Sequence, residues 1–298
     1  MSEGDGPADD AGVPAFWRAL GLPGLVDVHV HFLPPRVTER VWDFFDAGAE
    51  HYGVAWPITY RLPEDERVER LRAMGLRAFP ALCYPHKPGM AAWLNDWSEQ
   101  FAARTPGVVR SATFYPEPEA SRYVATALER GVRVFKAHVT VGGYDPRDPL
   151  LDPVWGMLAD AGVPVVTHCG SGPRPGRFTG PEIIEGVLRR HPGLTMVVAH
   201  MGAPEYAEHV ALLDRYPNVH LDTTMVGTDF MERLAPLPAS VRSRLAGSGD
   251  RIVLGSDFPN IPYPYAHQLA ALVRWDMGDD WLRAVLWHNG VRLFRLDL

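Results

Sequence analysis

Eight short apolar runs separated by longer amphipathic stretches leave this chain few ways to fold. The runs are Gly24–Phe32, Arg77–Cys83, Val108–Tyr115, Val132–His138, Val163–Cys169, Thr195–His200, Val219–Thr223 and Ile252–Asp257. They are rich in valine, several lack the apolar–polar alternation of a half-exposed strand, and turn residues bound them. Parallel strands buried on both faces read this way. Helical patterns lie between them at Glu64–Met74, Met90–Arg104, Glu117–Arg130, Pro153–Ala161, Pro181–Arg190, Pro204–Tyr216 and Phe230–Ala246, with further helices expected within Tyr263–Phe294. Pro153, Pro181 and Pro204 open three of these stretches, where a missing N–H costs nothing. Gly75, Gly131 and Gly162 close others just before the next strand. Strand and helix alternating in this way predict an α/β fold, a (β/α)₈ TIM barrel. A doubly wound parallel sheet is the alternative.

A chain of 298 residues suits one large barrel or two ordinary domains. No linker or internal repeat divides it, so the expected organisation is a flexible N-terminal tail over residues 1–13 and one barrel domain over residues 14–298. The first strand-to-strand interval is longer than the others, and its excess, Leu33–Leu62, carries Trp42, Phe44, Phe45, Tyr52, Trp56 and Tyr60. An insertion after the first strand lies at the C-terminal mouth of a barrel. It is therefore either a wall or lid of the pocket or a packed ornament.

The net charge of −7, without a basic run, argues against nucleic-acid and anionic-membrane partners. Cys83 and Cys169 are too few and too far apart for a disulfide framework. With no basic leader at the N-terminus, this fits a cytoplasmic protein. No apolar stretch approaches the ~18 residues of a membrane span.

The chemistry gathers at the strand ends. The first strand ends Asp27-Val28-His29-Val30-His31, and residues i and i+2 of a strand face the same side, so His29 and His31 both point into the barrel. The fifth strand ends on His168, the sixth on His200 and the eighth on Asp257. Each run is apolar until its end, which is then a metal-ligating type. In a barrel these C-terminal ends surround one point, so the pattern predicts a metal centre.

These motifs, with Thr-His-Cys-Gly at 167–170, Ala-His-Met-Gly at 199–202 and Gly-Ser-Asp-Phe-Pro at 255–259, resemble the signature of the amidohydrolase superfamily. The branch most resembled is amidohydrolase family 2, which also contains the aminocarboxymuconate-semialdehyde decarboxylase type. The closing Asn289-Gly290-Val291-Arg292-Leu293-Phe294 is similar to its Asn-Ala-x-Arg-Leu-Phe, with glycine in place of the usual alanine. The resemblance implies that His29, His31, His168 and Asp257 hold one divalent metal, expected to be zinc, with manganese, iron or cobalt as alternatives. It also implies that His200 stands beside the metal and activates its water; His200 and Asp257 are the candidates to move the proton. Binuclear members of the superfamily bridge two metals with a carboxylated lysine at the end of the fourth strand, where this chain has Lys136-Ala137-His138. The branch resembled is usually mononuclear, so Lys136 and His138 are expected as substrate-contacting pocket residues, the alternative being a lysine that reaches solvent from the outer face.

Arg174 and Arg177, in the loop after the fifth strand, could grip a substrate carboxylate, and Trp56 and Asn260 are further candidate substrate contacts; His86 is either pocket or surface. Cys169, Met225 and Met231 read as packing. Two reactions fit. In one, metal-bound hydroxide attacks an ester, lactone or amide carbonyl of a small molecule. In the other, the same site decarboxylates an unsaturated or aromatic acid. Hydrolysis is the leading expectation, and a metal-retaining binding protein without turnover is the reading from another class. Barrels of this kind are often homodimers, but no residue marks an interface.

Overall fold

The computed structural model describes residues 6–298. Its strands are all parallel and follow chain order: β1 (Leu25–Val26), β2 (Leu76–Pro80), β3 (Val108–Val109, then Ser111–Thr113 beyond Arg110), β4 (Val134–His138), β5 (Val165–His168), β6 (Met196–Val198), β7 (Val219–Asp222) and β8 (Ile252–Val253). The two outer strands meet: the Val28 N–H donates to the Leu254 carbonyl at 2.8 Å, and Val30 bridges Phe258 in parallel. That contact closes the sheet into the expected (β/α)₈ barrel. The regular ladders are shorter than the apolar runs, and the remaining residues of each run continue in extended form with single hydrogen bonds. In the β4–β5 register Lys136 lies opposite Val166 and His138 opposite His168, so period 2 turns Val134, Lys136 and His138 to one face.

Helices wrap the sheet where periodicity places them, including Glu64–Met74, Ala91–Arg104, Ala120–Glu129, Asp152–Ala161 and Pro181–Arg190. Gly75 and Gly162 end two of them with φ of +91° and +58°, a left-handed turn that costs glycine little. Two helical expectations break up. Phe230–Ala246 yields one short turn, Met231–Arg233, and a helix only from Ala239 to Ala246. Pro236 and Pro238 lie between them, and a proline ring clashes with the carbonyl one turn earlier. Pro204–Tyr216 becomes two short helices, Tyr206–Val210 and Leu212–Arg215, because the chain leaves β6 through left-handed backbone at His200 and Met201 and becomes helical only at Tyr206.

Residues 1–5 of the expected flexible tail lie outside the described residues. Within residues 6–13, Pro7 and Val13 are buried while Ala8, Asp9 and Ala11 are exposed, and a short turn at Asp10–Gly12 leads into helix α1 (Val13–Ala19), whose Val13, Phe16 and Trp17 are buried. Asp10 reaches across the molecule, accepting from Tyr60 Oη and from the backbone N–H of Ala266.

The insertion after β1 folds as α2 (Pro35–Asp46) and α3 (Gly48–Tyr52). At the other end of the chain, Asn289 Nδ2 donates to the carbonyls of Gly249 and Ile252, and Arg292 donates to Asn289 Oδ1. The Asn-x-x-Arg motif thus ties the last helix, Asn289–Phe294, to the base of β8. Gly290 of that helix lies against β1, where an added Cβ would fall 2.6 Å from Val26 Cγ1 and 2.9 Å from Val26 Cβ. The glycine is therefore a packing requirement. Gly290→Ala is expected to destabilise the fold by about 1–3 kcal/mol through overpacking, although helix propensity alone predicts a gain of about 1 kcal/mol. Denaturant unfolding gives the sign, and a more stable variant would refute the packing account.

Candidate metal centre

His29 and His31 enter the barrel interior from the extended continuation of β1, with ring centroids 5.0 Å apart. Asp257 follows β8. Its N–H donates to the His29 carbonyl at 2.9 Å, and a φ of +69° turns the residue sharply at this point. Asp257 Oδ1 comes to 2.9 Å from His31 Nε2 and 3.6 Å from His29 Nε2. The ligating atoms of His29, His31 and Asp257 all lie within 4.8 Å of one another.

The far side of each imidazole is already engaged. His31 Nδ1 donates to the Leu82 carbonyl at 2.8 Å, and His29 Nδ1 donates to Asp222 Oδ2 at 2.8 Å with Thr224 Oγ1 close by. Such outer partners fix a metal-binding histidine's tautomer and orientation and leave Nε2 for the ion. Burial, with the nearby Lys136 charge, pulls His29 down to about 3. Lys136 is fully buried with Nζ 2.9 Å from His29 Nε2, and burial draws it down to about 8 against the pull of Asp257 and Asp222. It faces the interior, so the outer-face alternative does not apply. Burial raises Asp257, but the hydrogen bond and charge of His31 and the charges of His29 and His200 outweigh it and hold the carboxyl well below its ordinary value. Three electron-pair donors thus converge at the floor of the barrel mouth, with Asp257 16% exposed to it. Two imidazoles and a carboxylate suit a divalent ion of the zinc or manganese kind.

His168 borders the same cavity across from this group, but its ligating atoms do not fall within it. Its Nε2 donates to the Gly172 carbonyl at 3.1 Å, leaving Nδ1 free, and its ring stacks on His138 at 4.2 Å. His138 Nδ1 in turn caps the turn that follows β4, accepting from Val141 N–H at 3.3 Å. His200 lies between the two sides, its ring 4.8 Å from that of His168 and 5.3 Å from that of His29.

Above this cluster opens a cavity of about 580 Å³, lined by Lys136, His138, His168, His200 and Asp257 at its floor. Its wall is the insertion, through Val37, Val41, Phe44, Phe45, Tyr52 and Trp56, so the wall reading holds over the ornament. The insertion is pinned to the loop after β8: Trp42 Nε1 donates to Asn260 Oδ1 at 3.2 Å, Trp56 Nε1 donates to the Asn260 carbonyl at 2.7 Å, and Thr59 N–H donates to Ile261. Asn260 lines the cavity, but its side-chain oxygen already serves this anchor. Arg174 and His86 line the mouth, whereas Met225 and Met231 are buried in the core, as packing residues are, with one surface toward the cavity. Arg177 is a correction. It is exposed, lies outside the cavity lining, and its guanidinium rests 5.0 Å over the Phe178 ring. A turn closed by Gly176 N–H and Thr179 Oγ1 separates it from Arg174.

Several residues of the site escaped the sequence reading. Asp222 is the last residue of β7, one short of the end of its run, and the strand-end rule applied to the seventh strand would have found it. Burial raises its pKa, but the charge and hydrogen bond of His29 outweigh this and bring it to about 2. Tyr84 packs edge-on against His31 at 5.2 Å. Arg36 and Arg40 line the mouth from α2, and their i, i+4 spacing has meaning only once the insertion is known to be helical.

The family described as amidohydrolase matches the chain over residues 26–296. Among solved structures, the chain is similar to an uncharacterized TIM-barrel protein from Bordetella bronchiseptica, with 21% identity, a TM-score of 0.67, and 91% of this chain and 99% of that chain covered. It is also similar to 5-carboxyvanillate decarboxylase from Novosphingobium aromaticivorans, a structure complexed with manganese and 4-hydroxy-3-methoxy-5-nitrobenzoic acid, with 16% identity, a TM-score of 0.61, and coverage of 92% and 96%. A third is a probable 2-pyrone-4,6-dicarboxylic acid hydrolase from Acinetobacter baumannii with citric acid bound, with 13% identity, a TM-score of 0.58, and coverage of 92% and 100%. No curated relative matches the sequence. No helix among the described residues is long and apolar enough to cross a membrane.

Two outcomes follow from this geometry. Asp222→Asn should weaken divalent-metal affinity by about 10–100-fold, read by competition with a chromophoric chelator; unchanged affinity would show that the carboxylate does not hold His29 for an ion. The metal-free protein should also lose stability as pH falls from 6.5 toward 3. The unfolded chain takes up protons at His29 in that window while the folded chain does not, and burial lowers His138, His168 and His200 in the same direction. Asp27, raised to about 7, acts with the opposite sign but is one group against seven histidines, since burial also lowers His209, His220 and His267. Each group contributes a slope of up to about 1.4 kcal/mol per pH unit. Denaturation midpoints that stay flat from about pH 6.5 to 4.5 would contradict this.

Proposed function

We propose, for a chain that belongs to the amidohydrolase family, a divalent metal centre on His29, His31 and Asp257, with His168 across the same cavity as the further ligand that the strand-end pattern implies, that hydrolyses an ester, lactone or amide bond in a small molecule carrying a carboxylate. The observation that carries this is a buried donor cluster at the floor of a cavity whose mouth is cationic. When bound, the metal, for which zinc is the first choice and manganese the second, supplies Lewis acidity and lowers the pKa of its water to ~7. The protein's own residues do the rest. His200 is pushed below its ordinary value by burial, so its imidazole is neutral at pH 7 and can take the proton from the attacking water. The imidazolium so formed can return that proton to the leaving group, and the Asp257 carboxylate, held ionised by its histidine neighbours, is the alternative acceptor of the water's proton. Phe45, Tyr52 and Trp56 clasp an apolar or aromatic body.

The arginines address the carboxylate. The Arg40 side chain is 87% exposed and hangs at the rim, and Arg36 and Arg174 line the same mouth. They suit an anionic group remote from the reacting bond, which would leave a carbonyl free to meet the floor of the cavity. A second reading, metal-dependent decarboxylation of an unsaturated or aromatic acid, is favoured by one specific observation. Lys136 places a buried cation 2.9 Å from His29 Nε2, at the floor, where it could orient a carboxylate that is itself to be lost.

The test is turnover by metal-reconstituted protein on paired substrates: carboxylate-bearing lactones and esters, followed by acid release, and aromatic or unsaturated acids, followed by carbon dioxide release. Acid release is the expected result, carbon dioxide release would put the second reading first, and neither would count against both. With a hydrolysed carboxylate-bearing substrate, Arg174→Ala should raise KM by about tenfold or more, the size of one charge-assisted hydrogen bond. A neutral analogue should be unaffected. Equal effects on both would remove Arg174 from carboxylate binding.

A further inference from the structure

A chain of hydrogen bonds, part-buried at Asp10 and buried from Tyr265 onward, runs from the N-terminal segment to the backbone of His29. The helix Tyr265–Val273 starts after Pro264, whose side chain offers no cap to its first N–H groups. Those donors are satisfied from elsewhere in the chain: Tyr265 N–H donates to Tyr60 Oη at 2.6 Å, and Ala266 N–H donates to Asp10 Oδ1 at 3.0 Å. Tyr60 Oη donates in turn to Asp10 Oδ2. The Asp10 carboxylate therefore caps, from outside the helix, the N-terminus of an element more than 250 positions away in sequence.

The capped residue faces the site. Tyr265 Oη donates to Asp27 Oδ2 at 2.9 Å, and Asp27 Oδ1 accepts the backbone N–H of His29 at 2.9 Å. Asp27 and Tyr265 are both fully buried, so neither has water to fall back on. Tyr60 also packs on Phe258, with rings 4.6 Å apart, and the Phe258 carbonyl accepts the His31 N–H at 2.7 Å. The segment around Asp10 thus reaches the backbone of both histidines through Tyr60 and Tyr265.

We infer that Asp10 is a positioning residue of the metal centre, acting through Tyr60, Tyr265 and Asp27 on the aim of His29. Asp10 touches neither metal nor substrate in this account. Its carboxylate fixes where the helix Tyr265–Val273 begins, and the start of that helix fixes the hydroxyl that holds Asp27. The inference rests on the metal reading given above.

Cobalt(II) binding tests it, because the ligand-field spectrum reports ligand geometry directly and needs no turnover. Wild type, Asp10→Ala, Asp10→Asn, Tyr265→Phe and an Asp257→Ala control are titrated with cobalt(II) against a competing chelator, and thermal melting of each metal-free protein runs alongside. Asp10→Ala and Tyr265→Phe should each weaken cobalt affinity by about tenfold, the lower end for outer partners of metal ligands, and should shift the visible bands. Asp10→Asn keeps an oxygen for Ala266 N–H and should recover part of the loss. Tyr265→Phe is nearly isosteric and keeps the proposal falsifiable should Asp10→Ala fail to fold. Lower melting temperatures with wild-type spectra and affinities would reduce the chain to a structural brace and overturn the inference alone. Absence of cobalt binding by wild type would overturn it together with the metal reading.

Discussion

One carboxylate organises the floor of this barrel. Asp222, at the end of β7, accepts from His29 Nδ1 at 2.8 Å, from the His200 backbone N–H at 2.7 Å and from the Thr224 backbone N–H at 3.1 Å. It thereby ties together the ends of β1, β6 and β7. A buried carboxylate is tolerable only when its lone pairs are filled and positive charge is near. Here the requirement is met by the groups whose orientation the site needs. His29 is left with Nε2 facing Lys136 and Asp257, and His200 is held in a left-handed backbone conformation that sets its ring between His29 and His168.

Around this point the charges sort by depth. At the floor, Lys136, Asp222, His29 and His31 are buried and Asp257, His138, His168 and His200 half-buried, and they shift one another's protonation in ways an exposed cluster could not sustain. At the mouth, Arg36, Arg40 and Arg174 sit on helix α2 and the loop after β5, where a substrate's charge meets them first. Between the two, the aromatic face of the insertion supplies apolar wall. Two tryptophan indoles anchor it to Asn260, whose own N–H donates to the Asp257 carbonyl at 2.9 Å. The wall and the loop that carries Asp257 are thus one hydrogen-bonded unit.

Much of this was legible in the residues. Valine-rich runs without alternation placed the strands, and period 2 along β1 and β4 was enough to turn His29, His31 and Lys136 inward. What stayed hidden depended on tertiary contacts. Asp10 reads as an acidic residue in a polar leader until the partnerless N–H groups after Pro264 are seen beside it. Arg177 and Arg174 look alike three positions apart, and only the turn at Gly176–Thr179 separates them. Asn260 looked free for substrate because nothing local shows that Trp42 reaches it. His168 carries the sequence signature of a ligand, yet its atoms lie outside the group formed by His29, His31 and Asp257, a separation set by the Gly172 hydrogen bond and the stacking on His138.

Metal content reads out whether this cluster holds an ion. Plasma mass spectrometry on the purified protein, beside a folded His29→Ala/His31→Ala double variant, should find about one divalent metal per chain in the wild type and none held by the variant. A wild-type protein that remains metal-free after reconstitution with zinc or manganese, or a double variant that retains the ion, would contradict the account.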